Sequence, residues 1–156
     1  MKKLFVMLLG CLGVMTVQAQ SKEWNDVLKN YLNMEDALVA SNAGVAKNAM
    51  DTMRKDVLQL QSDAKGKNYE KEAKFLAAYL EAHNKANSLE DIRSAFEKIS
   101  KSMIALAELK VFGSETLYVV NCPMKKANWL DDANTVKNPY YGKAMLTCGS
   151  VKKTIN

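Results

Sequence analysis

The chain has 156 residues, a formal net charge of +5 and 48% hydrophobic residues, enough for one domain with a packed core. Its lysines are scattered and no basic cluster is interleaved with aromatics, so nucleic acid is not an expected partner. His83 is the chain's single histidine, which excludes a His-rich zinc site, a Ser-His-Asp triad and the paired Glu-x-x-His motifs of a di-iron bundle.

The first stretch, "MKKLFVMLLGCLGVMTVQAQ", has Lys2 and Lys3, an apolar run from Leu4 to Val17 and small residues around Ala19. That pattern predicts a secretory signal peptide over residues 1–19. The apolar run is shorter than the roughly 20 residues of a membrane helix, so no span is expected in the mature form. Leu8-Leu9-Gly10-Cys11 resembles a lipobox, but the chain stays apolar from Leu12 to Val17, where a lipoprotein turns polar. Cleavage after Ala19 is therefore the preferred reading over a lipoprotein anchored at Cys11, and the expected location is periplasmic or secreted. Cleavage there removes two lysines and leaves Cys122 and Cys148 as the only cysteines. In an oxidising compartment that pair is a disulfide candidate.

From residue 20 to residue 113 the apolar residues recur every three or four positions. Val27, Tyr31, Met34 and Leu38 form one stripe, and Val45, Ala49, Met53, Val57 and Leu60 a second. Ala73, Leu76, Leu80 and His83 form a third, and Ile92, Phe96, Ile99, Met103 and Leu106 a fourth. Such spacing makes one face of a helix that must be buried. Between the stripes lie "ASNAG", where Ser41 or Asn42 can cap, "DAKGKN", and "NSLED", with Ser88 and Asp91 at capping-box spacing. Gly113 is the expected end of the fourth helix. The prediction is a mainly α chain, an up-and-down four-helix bundle. Met34, Met50, Met53 and Met103 read as core filler, and His83 as a structural residue near a helix C-terminus.

Residues 114–156 read differently, as a small irregular β-hairpin packed on the bundle. "TLYVVN" predicts one strand and "MLTCGSVKKTI" a second, with a bend at Gly149. The intervening prolines, Gly142 and Asn/Asp residues read as turns, with Trp129, Tyr140 and Tyr141 as hydrophobic anchors. Here Cys122-Pro123-Met124 and Met145-Leu146-Thr147-Cys148 each bring a thiol and a thioether close in sequence. Both are soft donors suited to Cu(I). In an extended strand Cys122 and Met124 share a face, whereas Met145 and Cys148 fall on opposite faces. Four ligands therefore do not converge from two regular strands. The competing reading is a Cys122–Cys148 disulfide closing a loop of about 27 residues, worth roughly 3–4 kcal/mol in the chain-entropy model. An enzyme is not expected, since there is no C-x-x-C and no histidine close in sequence to either cysteine.

The segment "LYVVNCPMKKANWLDDANTVKNPYYGKAMLTCGSVKKTI" resembles the end of a family of bacterial periplasmic domains of unknown function. These are found alone or appended to the adaptor proteins of heavy-metal (copper and silver) efflux systems. The likeness rests on Tyr118, Cys122-Pro123-Met124, Trp129-Leu130, Asn138-Pro139-Tyr140-Tyr141-Gly142, Met145-Leu146, Cys148-Gly149, Val151-Lys152 and Ile155. Upstream, "DALVASNAGVAKNAM" and "IRSAFEKISKSM" are similar to the family's first and last helices. The stretch Lys125-Lys126-Ala127-Asn128 is shorter than the family's usual one. The resemblance implies a periplasmic, non-enzymatic, soft-metal accessory protein, with Cys122, Met124, Met145 and Cys148 holding copper(I) and His83 as an extra donor. Its implied partner is a heavy-metal efflux adaptor or another periplasmic protein. The alternative is an interaction module pinned by the disulfide and presenting Trp129, Tyr140 and Tyr141.

Overall fold

The computed structural model describes residues 15–156, with side chains from Glu23 onward. Most of the expected leader, with Cys11, lies outside the described residues; its remainder, to the Ala19 cleavage point, is the start of the first helix, where only the backbone is described.

Four helices follow in order: α1 (Met15–Val39), α2 (Ala43–Ala64), α3 (Glu70–Ala82) and α4 (Leu89–Glu108). Each packs on its successor, as short connections require, whereas α1 and α4 touch over a much shorter stretch. Among the described residues no helix is long and apolar enough to cross a membrane. The stripes face inward, with Tyr31, Met34, Met53, Leu76, Leu80, Phe96 and Met103 fully buried. Half-buried His83 and Val45, at 50% exposed, are the exceptions; Ala46 takes the inward position in place of Val45.

The helix ends explain the links. At the end of α1, Ser41 adopts φ 57°, the Ser41 N–H bonds the Leu38 carbonyl and the Asn42 N–H bonds the Ala37 carbonyl. This Schellman geometry absorbs the orphan carbonyls of the last turn. Asn42 then caps α2, its Oδ1 accepting the Val45 N–H at 3.1 Å. Ser88 caps α4, its Oγ accepting the Asp91 N–H at 3.0 Å and donating to the Asp91 carboxylate at 2.7 Å. Contrary to expectation, α4 ends at Glu108, well before Gly113. With Lys110 at φ 61°, the same Schellman pair forms: the Lys110 N–H bonds the Ala107 carbonyl and the Val111 N–H bonds the Leu106 carbonyl.

The C-terminal segment is a three-stranded antiparallel sheet rather than a hairpin, comprising β1 (Leu117–Cys122), β2 (Ala127–Asp131) and β3 (Ser150–Ile155) in the order β2-β1-β3. The expected second strand is divided. Residues Gly142–Met145 form one turn of 3-10 helix, and only Ser150 onward pairs with β1. β2 lies where turns were expected, with Val119 opposite Leu130 and Val120 opposite Trp129. A bulge at Lys152 shifts the β1–β3 register.

β2 is an edge strand, and it packs against α4. Its Leu130 N–H, buried and facing away from β1, is accepted by the Tyr31 hydroxyl oxygen at 3.0 Å. The same hydroxyl shares a 2.8 Å hydrogen bond with Ser100 on α4, and the Tyr31 ring stacks on Phe96 with centroids 5.1 Å apart. One phenol thus ties α1, α4 and the sheet. Beside it, Glu35 of α1 and Asp131 of β2 are only 4% and 5% exposed and hydrogen-bond each other. Burial first, and then the charges of Asp131 and Asp36, raise the Glu35 carboxyl well above its ordinary range; burial also raises Asp131. The pair therefore shares a proton, with Glu35 donating to Asp131.

Replacing Tyr31→Phe leaves the Leu130 N–H and Ser100 without their partner. The expected loss is about 1–3 kcal/mol in urea unfolding, and an unchanged midpoint would contradict this role. For Glu35, the folded chain holds a proton that the unfolded chain releases above roughly pH 4.3. Its contribution to stability is therefore greatest below that value and declines, by up to about 1.4 kcal/mol per pH unit, as pH rises toward the folded pKa. Glu35→Gln keeps a donor without the titration. The variant should gain on the wild type between pH 4 and pH 7, and parallel stability curves across that range would refute the shared proton.

Candidate thiol site

Cys122 is the last residue of β1 and Cys148 lies two residues before β3, so the β1–β3 pairing draws them together. Their sulfurs are 4.0 Å apart, and both are free thiols. Cys122 is wholly buried; Cys148 is half-buried. The four-residue turn from Pro123 to Lys126, closed by Lys126 at φ 56°, reaches both sulfurs through its amides. The Lys125 N–H points at the Cys122 sulfur at 3.4 Å, and the Met124 N–H points at the Cys148 sulfur. Burial, together with the hydrogen bond to Cys122 and its charge, pushes the Cys148 thiol above its ordinary pKa, and the Met124 amide opposes the shift.

The thioethers are placed less tightly. Met124 is 63% exposed on the turn, beside the thiol pair only through its backbone. Met145 ends the 3-10 helix, half-buried, and its carbonyl accepts the Cys148 N–H at 3.0 Å. Because Met145 and Cys148 sit in consecutive turns, the opposite-faces objection drawn from a regular strand does not apply to them.

His83 does not join this group. It caps the C-terminus of α3, and its Nδ1 bonds the Tyr79 carbonyl of its own helix at 2.8 Å. Among the described residues no three His, Cys, Asp or Glu side chains gather at metal-holding range. Nor do Trp129 and Tyr140 form a presented surface, since they are 0% and 4% exposed. They are the anchors of the segment. Tyr140 packs edge-on against Phe96 of α4 at 5.7 Å and against Trp129 at 6.0 Å, and its hydroxyl donates to the Asn128 carbonyl at 2.8 Å. Only Tyr141 of the three is partly exposed.

The residue that organises the Cys148 loop is Asn138, fully buried. Its Nδ2 donates to the Cys148 carbonyl at 2.6 Å, and its Oδ1 accepts the Tyr140 N–H at 2.9 Å and the Tyr141 N–H at 3.3 Å. Its own N–H reaches the Leu146 carbonyl at 2.7 Å. Arg93 of α4 holds the other side of the turn, donating to the carbonyls of Pro139 at 2.9 Å and Leu38 at 3.1 Å. Gly142, at φ 56°, lies so close that a Cβ would stand 2.8 Å from Ser41 Oγ and 3.0 Å from the Val39 carbonyl. At Gly149 a Cβ would meet the Asn121 carbonyl at 3.0 Å and Trp129 at 3.1 Å. That close approach seats Cys148 against the end of β1. The Asn-Pro-Tyr-Tyr-Gly motif was visible in the sequence as a turn; Arg93 and the buried Glu35–Asp131 pair gave no signal beyond that of surface charges.

A family model described as a protein of unknown function, DUF3347, matches residues 27–114. The chain belongs to that family. The matched DUF3347 region comprises the helical bundle from Val27 onward and stops before β1, so both cysteines lie outside it. No curated protein and no solved structure matches the chain.

Asn138→Ala removes three hydrogen bonds to a buried loop. It should cost roughly 2–4 kcal/mol in urea unfolding and speed alkylation of Cys148 in the native protein. A fold of unchanged stability with unchanged Cys148 reactivity would contradict the organising role.

Proposed function

We propose that this chain is a non-enzymatic soft-metal-binding accessory protein that captures Cu(I) between Cys122 and Cys148. The observation that carries the reading is the thiol pair: two sulfurs 4.0 Å apart, one buried and one reachable from solvent. With metal–sulfur bonds of roughly 2.3 Å, both sulfurs reach one ion without moving apart. Thiolates favour Cu(I) over hard cations, and the absence of an imidazole or carboxylate cluster among the described residues gives a hard or borderline ion little else to hold. Met124 and Met145, one beside each cysteine, are the further soft donors. The exposed Met124 thioether suits first contact with an incoming ion. The likeness of the C-terminal segment to domains appended to copper and silver efflux adaptors supports a role in heavy-metal homeostasis in the periplasm. An efflux adaptor is the corresponding partner.

Anaerobic competition of the reduced protein against a chromophoric Cu(I) chelator tests the reading. One equivalent of Cu(I) should be withdrawn from the chelator. Cys122→Ser should weaken that binding by more than about 100-fold, beyond what loss of an outer-shell contact costs. Met124→Leu should weaken it less. Absence of any competition by the reduced protein overturns the proposal.

A further inference from the structure

Two thiols in contact are a redox couple as well as a ligand pair, and their surroundings are not equivalent. Cys122 ends β1 beneath the Pro123–Lys126 turn, with its sulfur fully covered and the Lys125 N–H aimed at it. Cys148 lies in the turn between the 3-10 helix and β3 and is partly open to solvent. Exposed Met124 and Leu146 come from the two turns that carry the cysteines. A disulfide-bearing molecule can therefore reach one sulfur and not the other.

We infer that Cys148 is a thiol–disulfide exchange site, that Cys122 is its resolving cysteine, and that closure of the pair switches off metal capture. The switching half rests on the Cu(I) reading above. The co-reactant is a low-molecular-weight or protein disulfide. The Cys148 thiolate attacks one sulfur of that disulfide, whose S–S bond breaks, and one thiol leaves. The resulting mixed disulfide sits beside the Cys122 sulfur, which attacks Cys148 Sγ and expels the second thiol. The two cysteine protons leave with the two expelled thiols. The chain is oxidised by two electrons and the co-reactant disulfide is reduced to two thiols. The closed pair has no thiolate to offer a metal, so the oxidised chain is unable to load.

Attachment follows accessibility, and accessibility here is one-sided. Direct attack on Cys122 would require the turn over it to lift, breaking the Lys125 contact and the pairing of Cys122 with Ala127. The reverse reaction follows the same order. A reducing thiol attacks Cys148, and Cys122 leaves into its covered position.

The test uses oxidised glutathione on the reduced full chain carrying Cys11→Ser, so that only the pair reacts, with mass spectrometry as the readout. This protein should lose both thiols and retain no glutathione. With Cys122→Ser added, one glutathione should remain on Cys148. With Cys148→Ser added instead, Cys122 should react at least about tenfold more slowly in the native protein, and at a rate equal to that of Cys148 once both variants are unfolded in urea. Equal native rates for the two variants, or glutathione retained on the protein with both cysteines, overturn the assignment. Cu(I) competition is then repeated on the closed form. Loss of competition, recovered on reduction, is the expected result. Competition equal to that of the reduced protein overturns the switch. A reduced protein that takes no Cu(I) overturns the metal reading and the switch with it, and leaves the order of exchange to be decided by the glutathione arm alone.

Discussion

A buried sheet edge must find partners for the N–H groups that point away from the sheet, and in this chain that requirement fixes how the two halves fit. β2 pairs with β1 on one side only; its other side lies against the bundle, where no water can satisfy the Leu130 N–H. The Tyr31 hydroxyl supplies the acceptor, and Ser100 completes the phenol's own requirement. Because the phenol ring stacks on Phe96, sliding the sheet by one residue would orphan a hydrogen bond and turn every β2 side chain to the wrong face. The register of β2 is therefore set from the helices.

From that anchor the geometry propagates to the thiols through rigid parts. Trp129 and Tyr140 fill the space between α4 and the loop before β3, and Asn138 ties the loop into a turn through the Tyr140 and Tyr141 amides and the Cys148 carbonyl. Gly149 passes close enough to Asn121 that Cys148 has little choice of position beside Cys122. The closeness of the sulfurs is a consequence of backbone packing, since the only direct link between them is a weak thiol contact. A spacing held from outside does not depend on a bond between the sulfurs, which is what the ligand pair proposed above requires.

How much of this was legible in the sequence follows from the physics of each part. The helices were, because burial of one face imposes a period that any stripe of Leu, Ile, Val and Met reports; the misplacements were Val45, where Ala46 is the buried residue, and the end of α4, at Glu108 and not Gly113. β2 was not, because Asn128 and Asp131 look like turn residues unless Asn121 and Glu35 are known to donate to their side chains. Trp129 and Tyr140 read correctly as anchors and incorrectly as a presented surface, since the same aromatic composition serves both ends. Cys122 and Cys148 were recognisable as a pair, but their spacing depended on a 3-10 turn that the strand reading of "MLTCGSVKKTI" hid. The Glu35–Asp131 proton was out of reach altogether: a carboxylate reads as surface until a second one is found buried against it.

The shared family and the candidate chemistry occupy different parts of the chain. DUF3347 covers the bundle from Val27 to the approach of β1, and the described bundle contains neither thiol pairs nor clustered metal donors. Its contribution to the site is mechanical: Tyr31, Arg93 and Phe96 each reach across to a backbone or ring of the C-terminal segment. A donor pair carried on a turn, with one sulfur sealed and the other open, is poorly arranged for permanent storage, which favours closed and fully coordinated sites. On the Cu(I) reading proposed above, it suits an ion that must leave again. Under that reading, an ion held at the open sulfur would be reachable by an incoming thiol, which would join the ion before the buried sulfur lets go.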